Sequence, residues 1–369
     1  METPDRSPRR ILMTTDTVGG VWTFSIELCR CLPGVEILLA AMGGRANTTQ
    51  RDQVRQLPNV QLIDSDYLLE WMQDPWEDVR RAGEWLQALA GRFQPDLIHL
   101  NGYVHATLPW NVPVLVTAHS CVPSWWRAVR KAAVPPEWDT YRRKVRAGLL
   151  AADRITAPTA AMARGLRQLH GVSGSISVIP NGVSSGMDGT PLHEKQNFYL
   201  TAGRLWDEGK NVSALAEIAP DLPWPLVMAG EAGDPNKLSR PNVRLEGQLS
   251  SSEMRRHFQQ AAVYVHPARY EPFGLAVLEA AQCGCALVLG DIDSLREIWR
   301  DAAVYVDPDD HESLRDALLE IAADSGKRSR LASLAMRRAR DFSGDRMARA
   351  YLRIYQEMLA LPQPLLPAL

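Results

Sequence analysis

Short apolar runs rich in β-branched residues alternate with longer helical patterns along the whole chain, and this rhythm limits the possible folds more than any other feature. The first half carries RRILMTT, VEILLAAM, DLIHL, VPVLVTA, RITAP and SISVIP, with helical patterns such as VWTFSIELCRCL and WEDVRRAGEWLQALAGRF between them. The rhythm restarts with NFYLTAG, WPLVMAG, NVRLEG, AVYVHP, CALVLG and AAVYVD. Strands joined through helices run parallel, because a parallel neighbour needs a long crossover. The expectation is an α/β protein of two Rossmann-like, doubly wound parallel-sheet domains facing across a cleft. The stretch NGVSSGMDGTPLHEKQ, rich in Gly and Ser, reads as the linker. The first domain is placed at 1–182 and the second at 183–344. An amphipathic helix from about Ser343 to Ala360 leads into the tail LPQPLLPAL, and this end, about 345–369, is expected to pack back on the first domain.

A length of 369 residues suits two such domains better than one. The formal net charge of −2 excludes a general nucleic-acid binder, so an anionic ligand must be held by local charges. The polar start METPDRSPRR shows no secretory signal, and no apolar run reaches the roughly 20 residues of a membrane helix. The cysteines at 29, 31, 121, 283 and 285 are odd in number and lack a framework spacing, which points to reduced thiols in the cytoplasm. Cys29/Cys31 and Cys283/Cys285 have no nearby His cluster and read as small core residues rather than zinc ligands.

Open α/β sheets bind ligands outside the carboxyl ends of their strands, so polar residues just after a strand are the ones to weigh. In HPARYEPFGLAVLEAAQCGC a strand ends at about His266, a loop carries Glu271, and a helix begins near Phe273 or Gly274. Glu279 then falls in a helix with almost no polar face, which predicts burial nearly all round. A carboxylate there needs a partner: a structural Arg, or the vicinal hydroxyls of a bound ribose, the reading favoured here. The N–H groups of Phe273, Gly274 and Leu275 lie at the helix start, suited to phosphate or sugar hydroxyls. In NFYLTAGRLWDEGKN a strand is followed by Arg204 and Lys210, a planar fork and a mobile point charge for phosphate oxygens. Either alone would pass for a solvated surface cation. Beside the acidic segment, the two suggest a diphosphate clamp next to a ribose clamp.

These segments resemble those of the family-4 retaining glycosyltransferases (glycosyl transferases group 1), which have the two-domain GT-B fold. The paired glutamates with seven residues between them match Glu271 and Glu279 in EPFGLAVLE, and the Gly-Arg-Leu…Lys pattern matches Gly203, Arg204, Leu205 and Lys210. The N-terminal Gly-Gly loop matches Gly19 and Gly20, the strand-end His matches His119, and VIPNGV at Val178–Val183 sits at the handover between domains. The resemblance spans nearly the whole chain in order. It implies that Arg204 and Lys210 stabilise the leaving diphosphate and that Glu279 binds the ribose. Glu271 and His119 would contact the donor sugar, and Gly19 and Gly20 would let the backbone approach the phosphates. Without the resemblance, His119 reads equally as a satisfied core histidine and Gly19–Gly20 as an ordinary strand-to-helix turn.

The segment from Ser120 to Leu150 carries Trp125, Trp126 and Trp138 among many cations. It reads as an acceptor-binding loop whose tryptophans stack on a sugar ring; a solvated basic helix face and a dock for anionic lipid at the inner face of a membrane are the alternatives. The expected reaction moves a hexose from a nucleoside-diphosphate sugar to a hydroxyl acceptor, with no cofactor. No metal is required if Arg204 and Lys210 carry the charge. Of the D-x-D triplets, Asp64–Asp66 follows an outer strand and Asp291–Asp293 reads as a strand-end loop and helix cap. Two rivals share the fold: a sugar-nucleotide epimerase and a non-catalytic sugar-nucleotide binding protein. The absence of G-x-G-x-x-G argues against a nicotinamide dehydrogenase.

Overall fold

The computed structural model describes residues 7–184 and 194–360; most of the linker and the tail LPQPLLPAL lie outside the described residues. The chain forms two compact units. The first runs up to Ser124, then Ala133–Gly182, and resumes at Gly344; the second takes Trp125–Ala132 and Val183–Ser343.

The chain first runs through β1 (Arg10–Asp16), α1 (Gly20–Arg30), β2 (Glu36–Met42), α2 (Thr48–Arg55), β3 (Val60–Asp64), α3 (Trp76–Phe93) and β4 (Leu97–Leu100). It continues with β5 (Val114–Thr117), α4 (Val122–Arg130), α5 (Asp139–Ala151), β6 (Arg154–Ala157), α6 (Ala160–His170) and β7 (Ile176–Val178). The strands form a parallel sheet in the order β3-β2-β1-β4-β5-β6-β7. Alternate residues of β1 go to opposite faces: Leu12 joins one core, Ile11 and Met13 the other. Covered on both faces, the central strands read as unbroken apolar runs. The edge strand β3 is only partly buried and has the weakest signal, VQLID.

The second part comprises β8 (Gln196–Ala202), α7 (Val212–Ile218), β9 (Leu226–Ala229), β10 (Val243–Gly247), α8 (Ser251–Gln260), β11 (Ala261–His266) and α9 (Leu275–Gln282). β12 (Ala286–Gly290), α10 (Asp293–Trp299), β13 (Val304–Val306), α11 (His311–Ala323) and α12 (Ser325–Ala339) follow. This sheet is also parallel, in the order β10-β9-β8-β11-β12-β13. Both sheets grow one way from their first strand and then the other. Each therefore has a switch point, between β1 and β4 and between β8 and β11, where the crevice for a ligand opens at the carboxyl edge.

The last helix, α13 (Gly344–Ala360), lays Met347, Ala348, Tyr351, Ile354, Tyr355 and Met358 into the core that holds Ile11, Met13 and Phe24 of the first unit. Polar pins reinforce that apolar stripe. The Tyr355 hydroxyl lies 2.8 Å from Nδ1 of the buried His99, whose Nε2 lies 2.7 Å from Thr117 Oγ1. The Tyr351 hydroxyl lies 3.3 Å from Thr117 Oγ1 and Thr156 Oγ1. Burial pushes the His99 imidazole down to about 3, so it is neutral in this network.

Candidate active site

Two loops at the switch point of the second sheet are tied together by backbone chemistry. After β8, residues 203–211 close on a turn of 3-10 helix at Glu208–Lys210, capped by the Asp207 carboxylate. The Gly209 carbonyl accepts the N–H groups of Arg269 (2.9 Å) and Tyr270 (3.1 Å) from the loop after β11. Asn211 Nδ2 donates to the Pro267 carbonyl at 3.0 Å and the Pro308 carbonyl at 2.7 Å. Lys210 and Glu271, 61 residues apart, are thereby held side by side.

Lys210 Nζ donates to Glu271 Oε2 at 2.6 Å, and His266 Nε2 reaches the same oxygen at 3.0 Å. Burial alone would raise the Glu271 carboxyl, but the Lys210 ammonium and the His266 hydrogen bond outweigh it and hold it well below the usual carboxylate range. An ionised carboxylate only accepts, so His266 carries its proton on Nε2. Burial holds that imidazole below its ordinary pKa, against the opposing pull of Glu271. Its Nδ1 is buried and finds no hydrogen-bond partner among the described residues. Arg204 is likewise paired, through Nη2 to Asp207 Oδ2 at 3.3 Å, while its buried Nε has no such partner. The sequence reads Arg204 and Lys210 as a diphosphate clamp; the structure pairs each of them with a carboxylate. His266 and Asp207 are additions to the sequence-derived set. The signals for them were a His at a strand end five residues before Glu271, and an acid flanked by the two cations.

Gly274 precedes α9 at φ 90, where an added Cβ would lie 3.0 Å from Val277 Cγ2, so this helix entry demands glycine. The Phe273 side chain is core, packed on Phe342, while its N–H points at Glu271 Oε1 from 3.4 Å. The expectation of a helix buried nearly all round is corrected. Val277, Leu278, Ala280 and Ala281 are buried, but Leu275, Ala276, Glu279 and Gln282 form a half-buried face. The apolar letters of Leu275 and Ala276 conceal that face in the sequence. Glu279 stands on it, one turn beyond Leu275.

In the first unit, Gly19 and Gly20 open α1 directly after β1, and Gly19 caps the helix with no side-chain bond. Its φ of −178 is extended backbone that any residue adopts, so the turn itself does not call for glycine. His119 follows β5; its Nε2 lies 2.8 Å from the Asn101 amide oxygen, and Asn101 Nδ2 donates to the Thr14 carbonyl at 2.7 Å. Residues at the ends of β1, β4 and β5 thus meet around Asn101, which the sequence reading did not single out. Burial pushes the His119 imidazole down to about 3, and Phe24 packs edge-on against it at 4.6 Å. Nearby, Glu70 accepts the N–H groups of Tyr103 and Val104 (2.9 Å to the latter), and burial raises its carboxyl to about 7.

The tryptophans depart most from expectation. The boundary at 182 puts Trp125 and Trp126 in the first domain, yet Trp125–Ala132 belongs to the second unit. Trp125 Nε1 donates to Asp207 Oδ1 at 2.9 Å, inside the loop that carries Arg204 and Lys210. Trp126 packs against Trp125, and the Arg130 guanidinium lies over both rings. In the acidic triplets, Asp64 pairs with Arg45 and Arg51, Asp66 with Arg45, and Asp291 with Arg296. Asp293 is the first residue of α10 rather than its cap.

Two tandem Rossmann-like units of this topology make up the GT-B fold. Residues 18–185 match the family model for Glycosyltransferase Family 4, and residues 187–338 that for Glycosyl transferases group 1. A D-inositol 3-phosphate glycosyltransferase of Xylanimonas cellulosilytica is 27% identical over 317 residues, spanning 76% of this chain and 72% of that protein. Among solved structures, sucrose-phosphate synthase from Thermosynechococcus elongatus superposes with a TM-score of 0.78 at 18% identity, covering 95% of this chain and 99% of the other. The Anabaena protein HepE in complex with UDP gives 0.71 at 15% identity, over 95% and 100%. The chain belongs to the family-4, group 1 glycosyltransferases of GT-B fold. Membership brings glycosyltransferase activity with a nucleotide-sugar donor. No helix among the described residues is long and apolar enough to cross a membrane.

Proposed function

We propose that the protein moves a hexose from a nucleoside-diphosphate sugar to a hydroxyl acceptor with retention of anomeric configuration. One observation carries this reading: Lys210, Glu271 and His266 meet at the switch point of the second sheet, where Gly209 and Asn211, on either side of Lys210, are bonded to the loop after β11. In this reading Arg204 and Lys210 take the diphosphate, Glu279 the ribose, and Glu271 the sugar. The N–H groups of Phe273, Gly274 and Leu275 line the same loop. The donor roles of Gly19, Gly20 and His119 rest on the family resemblance, and Trp126 remains the aromatic surface for the acceptor.

The chemistry follows from charge. As the glycosidic bond to the diphosphate lengthens, positive charge grows on the sugar and negative charge on the leaving oxygens. Cations already fixed beside those oxygens stabilise the transition state more than the bound donor and need no reorganisation. Pairing with Glu271 and Asp207 keeps the two cations in place before the donor arrives. The neutral His266 holds Glu271 as an anion suited to the sugar side of the separating charges. With no enzymic nucleophile, retention means attack on the face the phosphate leaves, and the departing phosphate takes the acceptor proton.

The test is transfer from a panel of nucleoside-diphosphate hexoses in the presence of a chelator, with the product's anomeric configuration read by NMR. Retention, undiminished turnover in chelator, and a loss of turnover by about 100-fold or more in Arg204→Ala are expected. An inverted product, or full activity in the folded Arg204→Ala variant, would refute the reading.

A further inference from the structure

Resting on the donor-site reading above, we propose that Asp207 is a positioning residue for the phosphate-binding cations and that Trp125 secures it. Asp207 lies midway between Arg204 and Lys210, and its side chain is only 10% exposed. Oδ1 accepts the Gly209 N–H and the Trp125 indole N–H, both at 2.9 Å, leaving Oδ2 for Arg204 Nη2 at 3.3 Å. The first bond closes the turn that carries Lys210, and the third orients the guanidinium. The indole ties Oδ1 from outside the loop, so the carboxylate cannot rotate without breaking two hydrogen bonds at once.

Gly209 shows how closely Trp125 sits over this turn. An added Cβ there would lie 2.9 Å from the indole nitrogen, closer than real Cβ atoms approach, and a tight 3.0 Å from Asp207 Oδ1. The rest of the segment is seated by Arg130 on Glu208 at 2.8 Å and by Lys131 on Asp309, which also receives Arg269 at 2.7 Å. Those outer pairs are exposed and individually worth little. The part-buried Trp125–Asp207 bond, with a charged acceptor, is worth more. Arg204 Nε, buried and unpartnered among the described residues, remains for a ligand once Nη2 is held. A simple cap for the 3-10 turn would account for the Gly209 bond alone. It would not account for an indole brought from 82 residues away or for the second oxygen turned to Arg204.

The test is a calorimetric double-mutant cycle on the full chain. The probe is whichever of UDP, GDP and ADP raises the wild-type melting temperature most. Asp207→Asn should weaken nucleotide binding about tenfold or more, the cost of losing a charged hydrogen bond, and Trp125→Phe by a few-fold. In an Arg204→Ala background, Asp207→Asn should add less than about a twofold loss, because its effect runs through that side chain. A merely structural carboxylate would lower the melting temperature without this coupling. Wild-type affinity in folded Asp207→Asn, or losses that multiply in the double variant, would overturn the inference while leaving the donor site standing. Wild-type affinity in Arg204→Ala would remove both. Should Asp207→Asn fail to fold, Trp125→Phe decides: a few-fold loss supports the assignment and an unchanged affinity overturns it.

Discussion

Lys210 and Glu271 each make the other tolerable in a place where neither is well solvated. Their side chains are 15% and 13% exposed, and a lone charge at such a site is costly. The sign of the pH dependence follows from the direction of the shift. A carboxyl whose native pKa is depressed contributes stability above its unfolded value, and the contribution is lost as pH falls through the native value. In Lys210→Ala the remaining Glu271 loses its strongest compensation, so burial raises its pKa and the ionised form becomes a penalty at neutral pH. That penalty shrinks in mild acid, where the carboxyl is protonated in the folded variant and partly protonated in the unfolded chain. Lys210→Ala should therefore cost about 3 kcal/mol near neutrality and visibly less near pH 4.5. Thermal melts of both proteins at the two pH values measure this, and a gap independent of pH would contradict the pairing. Lys210 and Glu271 were readable from the motifs. Their mutual contact was not, because it depends on the Gly209 and Asn211 bonds that join two loops far apart in sequence.

Helices were legible where their pattern answers to one core. The run WEDVRRAGEWLQALAGRF folds as α3 over Trp76–Phe93, its apolar positions at helical spacing. The helix α13 is equally plain from its stripe, but the polar pins beneath it are not: a His in a strand and two Tyr in a helix show no relation in sequence. Tyr355→Phe tests them. It removes the hydroxyl from His99 Nδ1 and leaves a buried polar atom unpaired, an expected cost of about 1–3 kcal/mol. The melting transition of the first unit should fall while nucleotide affinity is unchanged; an unaltered melting temperature would mean that the pin contributes nothing. The helix α4 shows the opposite limit. Its letters give a Trp-rich basic helix, whereas its seat on Asp207, Glu208 and Asp309 is set by loops from another part of the chain. No periodicity encodes that, so the bond from Trp125 to Asp207 is not legible in the sequence.

The architecture as a whole was readable because parallel strands covered on both faces leave unbroken apolar runs, as in ILLAAM of β2 and AAVYV of β11, while the half-covered β3 does not. Strand order was not readable, and it is the order that places Lys210 and Glu271 beside one another, in the loops after the adjacent strands β8 and β11. The central claim is that this edge of the second unit holds the donor, with one glutamate for its nucleotide and one for its sugar. The most direct measurement is nucleoside-diphosphate affinity alongside turnover in Glu279→Gln and Glu271→Gln. Glu279→Gln should weaken the free nucleotide by about 1–3 kcal/mol through loss of a charged hydrogen bond to the ribose. Glu271→Gln removes the anion beside Lys210, so nucleotide affinity should hold or rise while turnover of the intact donor falls. The reverse pattern, with Glu271 governing nucleotide affinity and Glu279 governing turnover alone, would contradict the account.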